Sequence, residues 1–246
     1  MLVFILTMVA CAREEEPAEP PAVVAEITRE NSALSDDDAA DYFDEPEYYD
    51  DLPTYMDYGP TFTAEPLPDH IIEFITGVTF HENTPFGYDF LAYLSISYVD
   101  FSGQSQVGHM IVAAEIADEV LEIFKEIYEA RFPIYRMMLI DYFYADDYLS
   151  LHANNTSAFN FRYIAGTRTI SRHGFGMAID INPIQNPYIR GTTIKPALGA
   201  EYLDRDDVRQ GMIVRGDVVY RAFVGRGWTW GGNWTLPRDY HHFERI

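Results

Sequence analysis

The chain of 246 residues has little cysteine, few basic residues and no long apolar run. Cys11 is its only cysteine, so disulfides do not contribute to a folded domain. Seventeen Lys and Arg residues stand against 39 Asp and Glu residues, a formal net charge of −22. This excess of negative charge repels phosphate, so we do not expect nucleic acid as a partner. The apolar run at residues 1–10 is too short for a membrane-spanning helix, which takes about 20 residues.

The negative charge is concentrated in residues 12–69. This segment contains eighteen acidic residues and two arginines, and it carries 16 of the 22 net negative charges. Proline is scattered among its acidic clusters. Such a composition cannot bury enough apolar surface to offset the entropy of ordering the chain. We therefore predict a disordered, self-repelling linker over residues 12–69, with ends roughly 45 Å apart if it behaves as a flexible coil.

Residues 1–11 resemble an export signal. The apolar residues 1–10 suit the hydrophobic core of such a signal. Met8-Val9-Ala10-Cys11 resembles the cleavage box of bacterial lipoproteins, after which the cysteine is acylated. No basic residue precedes the apolar run, so we expect that the chain as given begins a few residues late. We predict an exported protein anchored by a lipid on Cys11 to the extracellular face of the bacterial cytoplasmic membrane; a soluble protein with a fortuitously apolar start is the alternative.

From about residue 70 the composition becomes that of a packed domain. Alternation of apolar and polar positions predicts a strand, whereas apolar residues three and four positions apart predict a helix. The predicted elements are, in order, a half-buried strand over 91–99, a turn over 100–103, a helix over 111–131, a buried strand over 134–140 and a polar loop over 141–155.

Two short clusters of histidine and carboxylate residues lie far apart in the chain. The first spans residues 171–180, and the second is Asp239-Tyr240-His241-His242. A catalytic zinc ion takes three protein ligands from His, Asp, Glu or Cys and keeps a fourth position for water. His173, Asp180 and His242 fit that count, so we predict one zinc ion per chain. Another divalent metal is an alternative for the same ligands, and a core hydrogen bond is the alternative for any single histidine.

The residues after His173 predict how the first cluster converges. Gly174 and Gly176 permit a tight backbone turn. Residues 177–181 then alternate as a short strand does. His173 would therefore lie on a loop and Asp180 on the face of a sheet, where the two side chains can approach each other.

The second cluster contains further candidates. Asp239 precedes His242 by three residues and, if it is not itself a ligand, can take a proton from the metal-bound water. Neighbouring residues on a strand point to opposite faces, so we expect His241 to support the site from outside the ligand set or to lie at its rim. Glu244 shares the strand face of His242 and can orient that ring by a hydrogen bond. A surface glutamate is the alternative.

Arg162 ends an asparagine-rich segment, residues 154–162. Asn, Ser and Thr side chains bond to nearby backbone groups and hold irregular loops, so this segment can fix Arg162 in one orientation. An oriented guanidinium beside a metal stabilises a developing oxyanion. The alternative is a surface arginine in a salt bridge.

The two clusters together resemble a known family pattern. In this chain the pattern has the form Ser171-x-His173-x-x-Gly176-x-Ala178-x-Asp180, followed by Asp239-x-x-His242. It resembles the M15 family of zinc peptidases, which includes D-alanyl-D-alanine carboxypeptidases and dipeptidases as well as L-alanyl-D-glutamate endopeptidases of phage lysins and bacterial wall hydrolases. The resemblance covers residues 111–246, the core of a domain over residues 70–246. We predict an α+β fold in which a small antiparallel sheet with flanking helices carries the zinc site on its face.

The resemblance implies a role for each matching residue. The three candidate ligands would bind zinc, and Asp239 would be the general base. Arg162 would contact the substrate carbonyl and its tetrahedral intermediate, and Ser171 would lie near the substrate. The base is glutamate in the carboxypeptidase and dipeptidase branches and aspartate in the endopeptidase branch. Asp239 therefore favours the endopeptidase branch, although aspartate and glutamate differ by only one methylene group.

Two segments between the clusters are predicted to flank the site. Residues 225–234 contain all three tryptophans and several glycines. Aromatic rings stack on sugar and peptide faces, so we expect Trp234 in the wall of the substrate cleft and Trp228 or Trp230 in the core. Residues 182–202 lack clear periodicity and are predicted to be a long excursion that narrows the site; irregular packing is the alternative.

We therefore predict an exported zinc peptidase that hydrolyses peptidoglycan stem peptides with metal-activated water. It would be either a D,D-carboxypeptidase or an L-alanyl-D-glutamate endopeptidase, and we expect a monomer. One alternative is a catalytically inactive surface lipoprotein that binds the cell wall. Another is an acidic surface lipoprotein whose tail binds a basic partner while the domain acts as a scaffold.

Overall fold

The computed structural model describes residues 59–246. The predicted export signal, Cys11 and the predicted linker up to residue 58 lie outside the described residues. Within the described range, none of the helices has the length and apolar character needed to cross a membrane.

Short strands and helices alternate along this part of the chain. The strands are β1 (Phe62–Pro66), β2 (Leu91–Val99), β3 (Ser105–Ala113), β4 (Arg136–Met137), β5 (Asn155–Thr156), β6 (Ala178–Asp180), β7 (Tyr188–Arg190), β8 (Thr193–Lys195), β9 (Thr229–Trp230), β10 (Arg238–Asp239) and β11 (His242–Glu244). The α-helices are α1 (Asp69–Ile75), α2 (Ala117–Glu129), α3 (Asp147–His152) and α4 (Val218–Val224). Short 3-10 helices lie at Tyr88–Phe90, Ala114–Ile116, Ile140–Phe143, His173–Phe175, Ala197–Tyr202 and Gly231–Asn233. The predicted α+β fold with small antiparallel sheets is confirmed.

The largest sheet has the antiparallel order β1-β2-β3 and covers the main helix. β2 and β3 pair over nine residues each, from Leu91 opposite Ala113 to Val99 opposite Ser105. One face of β2 packs against the apolar stripe of α2, where Leu94, Val120 and Phe124 are fully buried. α1 and the segment after β5 cover the other face. The strand predicted over residues 91–99 is confirmed, with the same bounds.

Two smaller three-stranded sheets carry the candidate site. In the first, β11 lies between β6 and β9, and in the second, β7 lies between β10 and β8. Both sheets are antiparallel. β4, the first strand after α2, pairs in parallel with β5, which lies at the start of the asparagine-rich segment. Ser157 continues from β5 and exchanges two backbone hydrogen bonds with Asp180, at 2.9 and 3.1 Å.

The helix predicted over residues 111–131 begins too early. Residues 111–113 belong to β3, and α2 starts at Ala117 after one 3-10 turn. The apolar residues 111–113 pair with the start of β2, and on the other edge of β3 the Ile111 carbonyl accepts from the Phe159 amide while the Ala113 amide donates to the Gly176 carbonyl. Apolar spacing alone does not separate a buried strand from the first turn of the helix that follows it.

The next two predictions are wrong in their extent. Within residues 134–140 only β4 is a strand. Beyond it, the side chain of Asn155 takes the place of a partner strand. Its Oδ1 accepts from the Met138 amide at 3.0 Å, and its Nδ2 donates to the Met138 carbonyl at 3.1 Å. The predicted polar loop over 141–155 contains α3. Asp146 caps this helix by accepting hydrogen bonds from the amides of residues 148 and 149.

The predicted end of the linker, at residue 69, is too late. β1 lies before it and pairs along its whole length with β2, from Phe62 opposite Ile96 to Pro66 opposite Ala92. Phe62 also packs edge-to-face on Tyr128 of α2, with ring centroids 5.7 Å apart. Thr63, Ala64 and Glu65 of this edge strand are exposed, so they need not be apolar, and their composition does not differ clearly from that of the linker.

Candidate active site

Two of the candidate ligands are direct neighbours across a strand pair. In the antiparallel pairing of β6 with β11, Asp180 lies opposite His242. Residues that lie directly opposite in such a pair project their side chains to the same face. The Oδ1 atom of Asp180 is 3.0 Å from the Nδ1 atom of His242. The sheet thus brings together residues that are 62 positions apart in the chain.

The third candidate ligand comes from the 3-10 turn at His173–Phe175. Gly176 ends this turn with φ of 63° and returns the chain to β6. A Cβ atom on Gly176 would lie 2.6 Å from the backbone nitrogen of Ala113, so the position needs glycine for its close approach as well as for its φ. The Oγ atom of Ser171 accepts a hydrogen bond from the His173 amide at 3.3 Å. The predicted convergence of His173 and Asp180 is found, since His173 Nε2 lies 3.2 Å from Asp180 Oδ1.

The three ligand atoms form a nearly regular triangle. Its sides are 3.2 Å between His173 Nε2 and His242 Nδ1, 3.2 Å between His173 Nε2 and Asp180 Oδ1, and 3.0 Å between Asp180 Oδ1 and His242 Nδ1. Ligands about 2.0–2.1 Å from a tetrahedral zinc ion are about 3.3 Å apart. The spacing therefore fits such an ion, and these residues form a candidate metal-binding group within residues 59–246.

The remaining ring nitrogens fix the orientation of both histidines. Nδ1 of His173 donates to the carbonyl oxygen of Ala158 at 2.7 Å, since a carbonyl can only accept. Nε2 of His242 lies 3.3 Å from Oε2 of Glu244, the contact expected from their shared strand face. Metal-binding histidines commonly hold their second nitrogen in this way. His173 therefore presents Nε2, and His242 presents Nδ1, to the centre of the triangle.

The site attracts positive charge. Burial by itself lowers the pKa of His242, but hydrogen bonds to Asp180 and Glu244 outweigh burial and raise that pKa to about 10. Burial alone raises the pKa of Asp180, but the charges of His173 and His241 hold it well below its usual range. A hydrogen bond with His242 likewise lowers the pKa of Glu244. The raised pKa of His242 favours a proton there that balances these carboxylates, and a bound cation would displace it.

The candidate base lies beside the ligands. Asp239 is on β10, and its Oδ1 atom is 2.9 Å from Nε2 of His241. His241 is 4% exposed, which excludes a place at the rim, and it lies outside the ligand triangle. Burial lowers the pKa of His241, but the charges of Asp239 and Asp180 outweigh this effect and raise it to about 9. The prediction that His241 lies outside the ligand set agrees with this placement.

Arg162 faces the same cleft and is held by a partner that the sequence did not indicate. Its Nε atom lies 2.7 Å from Oδ2 of Asp147, the first residue of α3. Asn160 donates from Nδ2 to Oδ1 of Asp147 at 3.0 Å, which fixes the carboxylate from its other side. The side chain of Arg162 is 36% exposed. Arg162 therefore forms a salt bridge, as in the alternative given in the sequence analysis, and this salt bridge also gives its guanidinium a defined orientation.

All seven predicted site residues of the described range line one cleft of about 1030 Å³. These are Arg162, Ser171, His173, Asp180, Trp234, Asp239 and His242. The ring centroid of Trp234 is 5.5 Å from that of His242, whereas Trp228 and Trp230 are buried in the core. The predicted excursion over 182–202 forms one side of the cleft, but it is an ordered hairpin of β7 and β8 followed by a 3-10 helix.

Comparison with known families agrees with this geometry. A family model described as D-alanyl-D-alanine carboxypeptidase, of the peptidase M15 group, matches residues 165–245. The resemblance to the M15 peptidases is confirmed. The match includes the three candidate ligands and Asp239, and it begins after Arg162, so it is shorter than the predicted resemblance over residues 111–246. No curated protein and no solved structure matches the chain significantly.

M15 peptidases are metallopeptidases, and the ligand triangle gives this chain a site that can hold a metal ion. Asp147 and the hydrogen bond that it accepts from Asn160 are parts of the candidate site that were not predicted from the sequence. Asp147 carried one available signal: the pair Asp146-Asp147 before an apolar run is typical of a helix start. Nothing in the sequence indicated that this helix start faces Arg162.

Proposed function

We propose that the chain is a zinc-dependent peptidase that hydrolyses peptidoglycan stem peptides. The observation that carries the proposal is the triangle of His173 Nε2, Asp180 Oδ1 and His242 Nδ1, with sides of 3.0–3.2 Å. Two imidazoles and one carboxylate suit zinc better than calcium or magnesium, which prefer oxygen ligands. The match to the M15 model supports a peptidase.

Each residue of the cleft then has a place in hydrolysis. His173, Asp180 and His242 would hold the zinc ion. When bound there, zinc would supply a Lewis acid for the scissile carbonyl and lower the pKa of a water molecule. Asp239 takes the proton from the attacking water and returns it to the leaving amine. With three protein ligands, such an ion would keep a fourth position for water or substrate, as catalytic zinc sites require.

Arg162 acts on the substrate rather than on the water. Its guanidinium donates hydrogen bonds to the substrate oxygen as that oxygen gains negative charge. The ion pair with Asp147 at 2.7 Å holds the group in place before substrate arrives, so less reorganisation is needed during reaction. Ser171 supports the His173 turn, and Trp234 offers a flat ring beside His242 for a substrate peptide or sugar.

Two observations bear on which peptide bond of the stem peptide is hydrolysed. An aspartate at position 239 favours cleavage between L-alanine and D-glutamate, by the resemblance to the endopeptidase branch. The family description names a D-alanyl-D-alanine carboxypeptidase, which favours release of a terminal D-alanine. Both substrates are stem peptides, and both reactions use the same kind of attacking water and the same base; the leaving amine is that of D-glutamate in the first reaction and that of D-alanine in the second.

Digestion of purified peptidoglycan by the full chain tests the proposal. The zinc-loaded chain and its Asp239→Ala variant are incubated with the wall material, and released fragments are identified by mass spectrometry. Released D-alanine identifies a carboxypeptidase, and a new N-terminal D-glutamate identifies an endopeptidase. No fragment from a folded, zinc-loaded chain would contradict the proposal and favour a wall-binding module.

The cellular location is part of the same proposal. A lipid anchor on Cys11, followed by an acidic tether, would place the peptidase outside the cytoplasmic membrane within reach of the wall. Metabolic labelling with a fatty acid, compared between the full chain and its Cys11→Ala variant, tests the anchor. Deletion of residues 14–58, which spares β1, tests the tether, because unchanged activity on intact walls would remove its support.

A further inference from the structure

The sheet of β10, β7 and β8 presents a row of three side chains to the cleft. Asp239 lies opposite Tyr188 in the pairing of β10 with β7, and Tyr188 lies opposite Lys195 in the pairing of β7 with β8. Residues directly opposite each other project their side chains to the same face of a sheet. All three line the cleft, so Lys195 lies on the face that carries the candidate base.

Lys195 is two strands away from Asp239. Neighbouring strands are about 4.7–4.9 Å apart, which sets the two Cα atoms about 10 Å apart. The flexible four-carbon stem of lysine spans a large part of this distance. The ammonium group can therefore reach a substrate group that lies over Tyr188, next to the base but not in contact with it.

The positive charge of Lys195 is not paired within the described range. Its side chain is exposed, and among residues 59–246 its ammonium group forms no hydrogen bond and no ion pair. Asp239 lies at the other end of the row, and charges farther apart than about 8 Å are largely screened at physiological salt. Lys195 therefore has a charge that an acidic group of a bound molecule can neutralise.

The carboxylates that line the cleft already have basic neighbours. Each of the four lies within 3.3 Å of a guanidinium or imidazole nitrogen. The neighbours are Arg162 for Asp147, His242 for Asp180, His241 for Asp239 and His242 for Glu244. Arg172, a further cation of the cleft, directly precedes His173 in the chain and so lies at the metal end of the cleft. Lys195 is the cation at the end of the row beyond the base.

The two candidate peptide bonds share one feature on the leaving side. A terminal D-alanine leaves with an amine whose carbon also bears the C-terminal carboxylate. In stem peptides D-glutamate continues through its side-chain carboxyl, so the carbon that bears its amine also bears a free carboxylate. In both substrates a carboxylate is therefore attached to the carbon next to the nitrogen that Asp239 protonates.

We propose that Lys195 binds this carboxylate and is a specificity-determining residue of the cleft. The inference rests on the proposed function, in which Asp239 returns the proton to the leaving amine. The leaving part of the substrate then extends from Asp239 over Tyr188 towards β8, where the ammonium group meets the carboxylate. Such a contact favours substrates with a free carboxylate at this position over those in which the group is an amide.

Hydrolysis of matched peptides by the full, zinc-loaded chain tests the proposal. One pair ends in D-alanine or its carboxamide, and the other contains D-glutamate or its carboxamide next to the leaving amine. For the free carboxylates, Lys195→Gln should raise KM about threefold to tenfold, as for a partly exposed bond to a charged group. It should leave kcat unchanged, because a carboxylate outside the reacting bonds is bound equally in the ground and transition states. Equal effects on carboxylate and carboxamide would overturn the proposal.

Three further variants separate charge recognition at Lys195 from other effects. Lys195→Arg keeps the charge and should restore most of the preference for the carboxylate. Lys125→Gln is the matched control, because Lys125 is also exposed but lies on α2, outside the cleft, and its loss should change neither KM. A loss of the preference in Arg172→Gln and none in Lys195→Gln would overturn the assignment.

NMR of the lysine side chains keeps the two proposals distinguishable. Lys125 and Lys195 are the only lysines of the chain, so carbon-13 methylation, which keeps the charge, gives signals that the two glutamine variants assign. In zinc-loaded Asp239→Ala, which leaves the peptide intact, the Lys195 signal should shift with the carboxylate peptide and not with the carboxamide. If it shifts but the wild-type chain hydrolyses nothing, the proposed function fails and the role of Lys195 stands. A signal that does not shift overturns that role, whether or not the wild-type chain is active.

Discussion

The Nε2 atom of His173 and the Nδ1 atom of His242 face each other across 3.2 Å, and both also contact Oδ1 of Asp180. Two neutral imidazoles that present lone pairs to each other need a proton or a metal ion between them. The hydrogen bonds of their outer nitrogens, to Ala158 and Glu244, prevent either ring from turning away. The folded chain thus holds both imidazoles in the orientation that binds a cation.

The stability of the metal-free chain should fall as pH rises. The pKa values of His241 and His242 are raised in the folded state to about 9 and about 10, from an unfolded value of about 6.5. Groups with raised pKa values stabilise the fold fully below the unfolded pKa and lose that contribution as pH passes the folded pKa. We therefore expect the Tm in chelator to decrease from about pH 6.5 to about pH 10.

Calorimetry over this pH range, with and without zinc, measures the effect. Zinc replaces a proton and should bind more tightly as pH rises, so the zinc-loaded chain should show a smaller decrease in Tm or none. The His242→Ala variant should lose much of the slope in chelator. A Tm in chelator that stays level or rises between pH 6.5 and 9 would contradict the assignment of these protons.

Glu244 should control metal affinity without binding the metal. The Glu244→Gln substitution keeps the shape of the side chain but removes the negative charge that faces Nε2 of His242. We expect zinc affinity to fall about 10- to 100-fold, as for other residues that orient a metal-binding histidine. Isothermal titration of the apo chain with zinc measures this. The control is Glu126→Gln on α2, which removes a carboxylate paired with Arg226 and should leave zinc affinity unchanged.

Asp147 should affect turnover and not metal binding. Asp147→Asn retains an oxygen for the hydrogen bond from Asn160 but weakens the hold on the Arg162 guanidinium. A displaced guanidinium stabilises the transition state less, so we expect kcat to fall about tenfold with zinc affinity unchanged. Asp146→Asn removes the neighbouring charge while an asparagine still caps α3, and it should have no such effect. Equal losses in both variants would assign the effect to local charge.

The candidate ligands were predictable from residue types and spacing, because the chemistry of a metal site restricts both. His173, Asp180 and His242 fit a three-ligand count, and the alternation around Asp180 indicated its strand. The pattern could not give the register that sets Asp180 opposite His242, which depends on pairing between segments 62 residues apart. Their neighbour Glu244 was also predictable, because a strand repeats every second residue.

The supporting contacts were not predictable, for physical reasons that differ from case to case. α3 has six residues, too few for apolar spacing to distinguish it from a loop, and so the partner of Arg162 was missed. β4 stops early because one asparagine side chain replaces a partner strand. His241 precedes the first residue of β11, so strand alternation does not place it, and its burial depends on Asn186, 55 residues earlier.

Gly176→Ala should lower both stability and metal affinity. An alanine at φ of 63° costs about 1–2 kcal/mol, and Gly191→Ala at φ of 61° carries the same strain. The two sites differ in space: a Cβ atom on Gly176 would lie 2.6 Å from the Ala113 nitrogen, whereas nothing lies within 4 Å of one on Gly191. The backbone clash should therefore add about 1–3 kcal/mol at Gly176 alone. Chemical denaturation of both variants measures this difference.

The metal readout then tests whether the clash reaches the site. Gly176 ends the turn that begins at His173, and its carbonyl oxygen accepts from the Ala113 amide at 3.0 Å. β3 cannot move away from the alanine because it is paired along its length with β2. The turn must shift instead, and His173 shifts with it, so zinc affinity should fall for Gly176→Ala and stay unchanged for Gly191→Ala. Equal zinc affinity in the two variants would show that the His173 turn is not held by β3.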